Sequence, residues 1–181
     1  MKPLKSIIGT FLLALVLLAC NKEQTLQEYI VESKENNEYM SIDLPANIIQ
    51  LDDTQLSEEN KATLATIKKM NFIAFPLSDS NKELYASEKQ KVTGILKQDT
   101  FTELMRVKGK VGDIIVSFVG DDDAIDEVVI FGASDEKGFA LARVLGENMN
   151  PADILKIAQH MEIDDDSGQM NQLGALFATI N

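Results

Sequence analysis

The residues with the most definite chemistry lie near the N-terminus of the 181-residue chain, around its single cysteine. Lys2 and Lys5 precede an apolar run, residues 7–18, which leads into Ala19 and Cys20. The run is shorter than the ~20 apolar residues that cross a bilayer, and its flanks are those of a secretory signal peptide. The ending Leu17-Leu18-Ala19-Cys20 resembles the bacterial lipobox.

The spacing of this motif suits thiol acylation followed by cleavage. The resemblance implies that a diacylglyceryl group would alkylate the Cys20 thiol and that a signal peptidase, which needs a small residue in its pocket, would cut after Ala19. The new amine of Cys20 would then take a third acyl chain, for which palmitate is typical. Each buried methylene contributes about 0.8 kcal/mol, so two or three chains anchor the protein stably. The alternative is an ordinary signal peptide with an incidental cysteine.

We therefore expect three parts: a lipoprotein signal peptide over 1–19, a lipidated tether over 20–25, and one domain over 26–181. Asn21 follows the lipidated residue. It is not the aspartate associated with inner-membrane retention, so the outer membrane is favoured over the inner membrane. The expected partner at this end of the chain is the lipid bilayer.

Composition removes several classes of function. The 17 basic and 29 acidic residues give a net charge of -12, which repels a phosphate backbone and argues against nucleic-acid binding. One cysteine and one histidine exclude an internal disulfide framework and zinc sites built on Cys or several His ligands. His160 is expected on a solvated helix face, and no nucleophile elbow or phosphate loop is present. No catalytic residue and no cofactor is predicted.

Acidic clusters are the candidates for a metal site. Asp121, Asp122, Asp123 and Asp126 follow one another closely, with Glu127 next to them, and such oxygen ligands can hold calcium. The EF-hand spacing is absent here and in the second cluster, residues 164–166. A solvated acidic loop is therefore the favoured interpretation, and the four aspartates are kept as metal candidates.

One predicted helix carries a basic face on this acidic protein. Its lysines are Lys82, Lys89, Lys91 and Lys97. They could meet anionic lipid headgroups or an acidic partner. A solvated face with ion pairs to Glu83 and Glu88 is the favoured interpretation.

The elements that must position these groups follow from periodicity. Capping boxes at Thr25–Glu28 and Ser80–Glu83 predict two helix starts, and Ser57 predicts a third, with Leu64 and Ile67 inward. The core face of the helix after Ser80 is predicted to comprise Leu84, Tyr85, Val92, Ile95 and Leu96. Further helices are expected after Asn150 and after Gly168.

Strand-like runs dominate the rest of the chain. A weak strand is predicted over 39–44 and a buried strand over 71–77. Four apolar runs, 101–107, 113–119, 127–133 and 139–146, are joined by short turn-rich links, which predicts an antiparallel meander. The expected class is α+β, an antiparallel meander sheet with helices packed mainly on one face.

The succession of these runs resembles a known family. Phe101 to Val107, the run from Ile114 to Val119, the acidic loop, Glu127 to Phe131 and Phe139 to Gly146 resemble the DUF4252 family, domains of unknown function in small lipoproteins of diderm bacteria. The resemblance covers roughly Leu26 to Met161. It implies no activity, cofactor or substrate.

These observations favour a membrane-anchored envelope lipoprotein that works as a non-enzymatic binding or accessory module with a protein partner. The first alternative is an envelope hydrolase or metal-dependent enzyme that uses carboxylates. The second is a component of envelope sensing that acts on regulation. A large exposed apolar patch would favour the binding module. A deep pocket of carboxylates with raised pKa values would favour the enzyme.

Overall fold

The computed structural model describes residues 23–45, 58–109, 112–121, 124–150 and 153. The predicted signal peptide, Cys20 and, apart from Asp153, the helices predicted after Asn150 lie outside these residues. None of the helices within the described ranges is long and apolar enough to cross a membrane.

One six-stranded antiparallel sheet forms the centre of the described structure. Three helices and six strands are described: α1 (Leu26–Lys34), β1 (Met40–Pro45), α2 (Glu58–Thr66), β2 (Ile67–Pro76), α3 (Lys82–Ile95), β3 (Thr102–Lys108), β4 (Asp113–Asp121), β5 (Ala124–Ser134) and β6 (Gly138–Met149). The strand order is β1-β2-β6-β5-β4-β3, so β1 and β3 form the two edges. The chain is therefore α+β, as predicted.

The predicted meander is confirmed as β3 to β6, in which each strand pairs with the next. Because the links are short, the nearest available partner of each strand is the next strand in the chain, which runs antiparallel to it. Both β4 and β5 continue further into the link between them than predicted, since Asp121 pairs with Ala124. Gly120 has φ 122°, a backbone conformation that suits glycine, and a register shift lies beside it.

Strand β2 is longer than the buried strand predicted over 71–77. β2 begins at Ile67, whereas Ile67 was predicted on the inward face of α2, and this assignment is wrong. The helix ends at Thr66, and the chain enters the sheet directly. β2 lies between β1 and β6 and is almost wholly buried from Met70 to Phe75.

Helix starts follow the predicted chemistry at one of the two capping boxes. Thr25 and Glu28 form the predicted box at the start of α1. The box predicted at Ser80 is wrong: α3 begins at Lys82, and Asn81 is its N-cap, with no side-chain capping bond. The Asn81 side chain instead accepts from the Ser78 backbone amide at 2.8 Å and donates to Glu38 at 2.7 Å.

The sheet has apolar side chains on both faces, in two separate clusters. The first cluster combines sheet residues such as Phe75 and Phe131 with the buried sides of α1 and α3. The second includes Phe72, Phe118 and Val144, with Leu64 of α2 packed against it. Most of the core face predicted for α3 is buried, but Leu84 is 37% exposed and does not belong to it.

Candidate functional site

The residues predicted to be lipidated and cleaved, Ala19 and Cys20, precede the first described residue. His160, Asp122 and Asp123 also lie outside the described ranges. Asp121 ends β4 and Asp126 lies in β5, and both side chains are exposed. Within the described ranges, no group of three or more His, Cys, Asp or Glu residues could hold a metal ion.

The basic face of α3 consists largely of ion-paired lysines. Lys82 lies 2.7 Å from Asp79, and Lys89 lies 2.8 Å from Asp135. Lys91 lies 2.5 Å from Glu88, one of the two carboxylates that the sequence offered as partners. The Lys89 ammonium also lies 5.7 Å from the centre of the Tyr85 ring.

A buried network of hydroxyls and one carboxylate lies where α1, α3 and the start of β1 meet. The Tyr29 and Tyr39 hydroxyls are 2.8 Å apart, and the Tyr39 hydroxyl donates to Glu88 at 2.7 Å. Glu88 is only 6% exposed, although it lies on a helix with a charged outer face. Tyr39 also packs edge-on against Phe75 at 5.0 Å between ring centres.

The protonation states in this network are settled by burial and hydrogen bonding. Burial first, then the contact with Tyr39, raises the pKa of Tyr29 far above its ordinary value. Burial also raises the pKa of Tyr39. Burial alone would raise the pKa of Glu88, but hydrogen bonds from Lys91 and Tyr39 outweigh it, and the pKa is lowered.

At neutral pH the network therefore contains neutral tyrosines and a charged glutamate. Catalytic acids and bases have pKa values near the working pH. The pKa values of the two tyrosines and of Glu88 are all shifted away from neutral pH. The arrangement satisfies buried polar groups and fixes α1 against α3. We interpret it as structural.

A second buried polar assembly lies on the face of the sheet that α1 and α3 cover. Arg143 donates to Glu127 at 2.6 Å and to Gln27 of α1 at 2.5 Å. Strand register places Arg143 and Ser117 on either side of Val129 in one row. Three buried atoms in this region have no hydrogen-bond partner among the described residues: Ser117 Oγ, Glu127 Oε1 and Arg143 Nε.

This assembly explains how α1 is fixed over the strands, because Gln27 contacts the guanidinium. A buried arginine is stable only when its charge is paired, and Glu127 provides that pairing. The unpaired atoms are of the kind that a buried water satisfies. Sequence reasoning missed the pair because Glu127 and Arg143 are 16 positions apart and meet only through the β5–β6 register.

The most exposed apolar feature of the described structure is strand β3. All seven residues from Thr102 to Lys108 are exposed, although the strand pairs with β4 along one side. Leu104, Met105 and Val107 are 43%, 40% and 44% exposed. Three of the five exposed large apolar residues in the described ranges thus lie on one edge strand, which we call the β3 edge.

The pairing of β3 is also irregular. The register shifts between Glu103 and Met105, which leaves Leu104 as the extra residue. Arg106 donates to Glu103 on the same strand, with Nη2 and Oε2 2.5 Å apart. Edge strands present unpaired backbone groups, so this strand offers both backbone hydrogen bonds and apolar side chains to a partner.

Comparison with known proteins identifies a family and no function. No curated protein and no solved structure matches the chain. The family described as "Domain of unknown function (DUF4252)" matches residues 29–157, which include β1 to β6 and most of α1. This match covers more than half of the sequence and agrees with the resemblance of the strand pattern. The chain belongs to the DUF4252 family.

Proposed function

We propose that this protein is an envelope lipoprotein, anchored through acylated Cys20, that binds a protein partner at the β3 edge and catalyses no reaction. The anchor rests on Leu17-Leu18-Ala19-Cys20, and the outer membrane is favoured because Asn21 follows the cysteine. The observation that carries the binding function is the concentration of exposed apolar side chains on one edge strand.

Strand addition is the binding mode that this geometry supports best. An extended segment of the partner would hydrogen-bond to the open side of β3, and its side chains would contact Leu104, Met105 and Val107. Burial of these side chains would contribute about 25 cal/mol for each Å2 of apolar surface removed from water. The bulge at Leu104 would restrict the partner, because it disfavours a long regular strand.

The proposed domain extends from residue 26 to 181 and keeps its helices mainly on the face that α1 and α3 cover. The tether over 20–25 is bound at its C-terminal end: the Gln24 side chain donates to Glu32 at 2.6 Å.

Site-specific photo-crosslinking in the native envelope tests the binding function. A photoreactive amino acid at position 105 should give a reproducible crosslinked protein. The double variant Leu104→Lys, Val107→Lys should weaken that crosslink several-fold, because two charges would be placed in an apolar contact. The matched control is Val31→Lys, since Val31 is 48% exposed on α1 and lies away from β3.

The proposal fails if position 105 gives no crosslink beyond that of a photoreactive residue at position 31. It also fails if the β3 double variant and Val31→Lys reduce the crosslink equally. Denaturant titration of each variant shows whether the fold is retained. Surface changes of this kind shift stability by about 0.5 kcal/mol or less.

A further inference from the structure

The two charged residues in the middle of β3 lie on the same face of the sheet. Glu103 pairs with Ser117 of β4, and Arg106 pairs with Ile115, so both lie on the face that α1 and α3 cover. The bulge at Leu104 explains this shared face, because it shifts the alternation of side chains by one residue. The two exposed groups also contact each other, with Arg106 Nη2 2.5 Å from Glu103 Oε2.

Apolar side chains of β3 lie on the opposite face. Met105 and Val107 pair with Val116 and Ile114 of β4, which belong to the second core cluster or pack against it. Within the part of the chain that the structure describes, only β4 pairs with β3, and all seven residues of β3 are exposed. A partner strand can therefore contact the charged row and the apolar row together.

A second copy of β3 fits this pattern in one register. A two-fold axis normal to the sheet joins two strands antiparallel and keeps each face continuous, so it must pass between two copies of the same residue. Three such registers overlap most of the strand. An axis at Glu103 or at Arg106 would place that charge opposite itself. An axis at Met105 places Glu103 of each copy opposite Arg106 of the other.

We propose that the partner of the β3 edge is a second copy of this chain, paired antiparallel about an axis at Met105. This inference rests on the proposed binding at the β3 edge and names its partner. Opposite charges directly across a strand pair stabilise it and like charges destabilise it, which selects this register. Met105 then meets its own copy, and Val107 meets Thr102, so apolar contact accompanies the charge pairs.

The short strand and the anchor suit such a pair. A second copy is as short and as bulged as β3 itself, so it meets the restriction that the bulge places on a partner. An interface of this size is weak between freely diffusing proteins. Acylation at Cys20 would confine the copies to one surface and raise their effective concentration. The net charge of -12 opposes association only at long range, where salt screens it.

Photo-crosslinking of charge variants tests the pairing. The full-length protein in its native envelope carries a photoreactive amino acid at position 105. We expect a product of twice the mass of one chain, in which both crosslinked peptides contain β3. Glu103→Arg alone or Arg106→Glu alone should reduce this product several-fold, because like charges then face each other. The double variant with both changes should restore it.

A mixture of the two single variants distinguishes self-pairing from any other role of these residues. Each variant repels its own copies, but a Glu103→Arg chain and an Arg106→Glu chain place opposite charges across the axis at both positions. When the two chains carry different tags, the crosslink between unlike tags should exceed that between like tags several-fold. Lys82→Glu, which changes the net charge as Arg106→Glu does, should leave the product unchanged.

The possible outcomes separate this inference from the proposed function. A crosslink from position 105 to a different protein alone overturns the self-pairing and leaves binding at the β3 edge intact. No crosslink beyond that of position 31 overturns both. Unlike variants that crosslink no better than each variant alone, while thermal unfolding shows that both are folded, overturn the pairing about Met105.

Discussion

Tyr39 shows how a few buried polar groups organise the first core cluster. Its ring packs against Phe75 and Phe139, and its hydroxyl links Tyr29 to Glu88. Both tyrosines have raised pKa values, so they act as neutral donors at neutral pH. The geometry therefore assigns this network to stability.

Removal of the central hydroxyl tests that assignment. Tyr39→Phe should lower the free energy of unfolding by about 1–3 kcal/mol, because Glu88 loses a donor in a buried position. The crosslink at position 105 should persist in this variant. Lys82→Ala, which removes an exposed ion pair, should cost less than about 1 kcal/mol in the same urea titration. A loss of the crosslink in a folded Tyr39→Phe protein would indicate a functional role for the network.

Asp43 predicts a pH dependence of stability. Burial alone would raise its pKa, but hydrogen bonds from Lys34, Asn71 and Lys69 lower it from 3.8 to about 2. A carboxylate with a depressed pKa stabilises the fold above its unfolded pKa, and this contribution is lost as the pH falls through the folded value. Because the side chain is partly exposed, the contribution at neutral pH should be about 1 kcal/mol or less.

Urea titrations of the native protein and Asp43→Asn across acidic pH measure this contribution. The difference in stability between them should be constant above pH about 5 and shrink as the pH falls toward about 2. A difference that stays the same throughout this window would show that the carboxylate is not stabilised by its lysine and asparagine partners.

Phe131 represents the apolar side of the same core. It is 2% exposed and packs against Phe139 at 5.6 Å between ring centres. Phe131→Ala should cost about 3–5 kcal/mol of unfolding free energy, since the removed ring leaves a cavity. Leu84→Ala is the control, and its cost should be far smaller because Leu84 is 37% exposed. Equal losses in a denaturant titration would contradict the burial of Phe131.

At the scale of elements, substitution of alanine for two different glycines should change the stability of the protein in opposite directions. Gly94→Ala should stabilise the protein by about 0.5–1 kcal/mol, because a Cβ fits freely there and alanine favours a helix. Gly138→Ala should destabilise it, since Gly138 has φ 113° and its Cβ would lie 2.0 Å from the Phe75 carbonyl oxygen. Thermal unfolding of both variants measures the contrast. A stabilising Gly138→Ala would show that the β5–β6 turn is wrongly described.

The sequence predicts the elements joined by short links well, and the boundaries and buried faces of the other elements less well. Short links and the Thr25–Glu28 box act within a few residues, so the meander and the start of α1 follow directly from the pattern. Ile67 was misassigned because a helix and a strand meet there without a turn residue. Leu84 was misassigned because helical spacing alone does not define the width of the buried face.

The candidate site was less accessible from the sequence than the fold. Residues 101–107 read as a strand, but nothing in their pattern shows that the strand lies at an edge with all of its residues exposed. That property follows from the strand order, in which β6 pairs with β2 on one side, so that β3 becomes the other edge.

At the scale of the molecule, two features have separate positions and separate proposed roles. The lipobox provides the proposed anchor, and the β3 edge offers the proposed surface for a partner. The acidic charge of the remaining surface limits nonspecific contact with anionic polymers. Together they fit the proposed function of a tethered binding module.

The central claim is that the protein acts while anchored at Cys20, and mass spectrometry of the N-terminal peptide from the native envelope tests it most directly. We expect a mature chain that begins at Cys20 and carries two or three acyl chains. Cys20→Ser should leave an uncut precursor or a protein released from the membrane, because a hydroxyl does not replace the thiol in this alkylation. An unacylated N-terminus, or a mature Cys20→Ser protein that stays with the membrane, would contradict the claim.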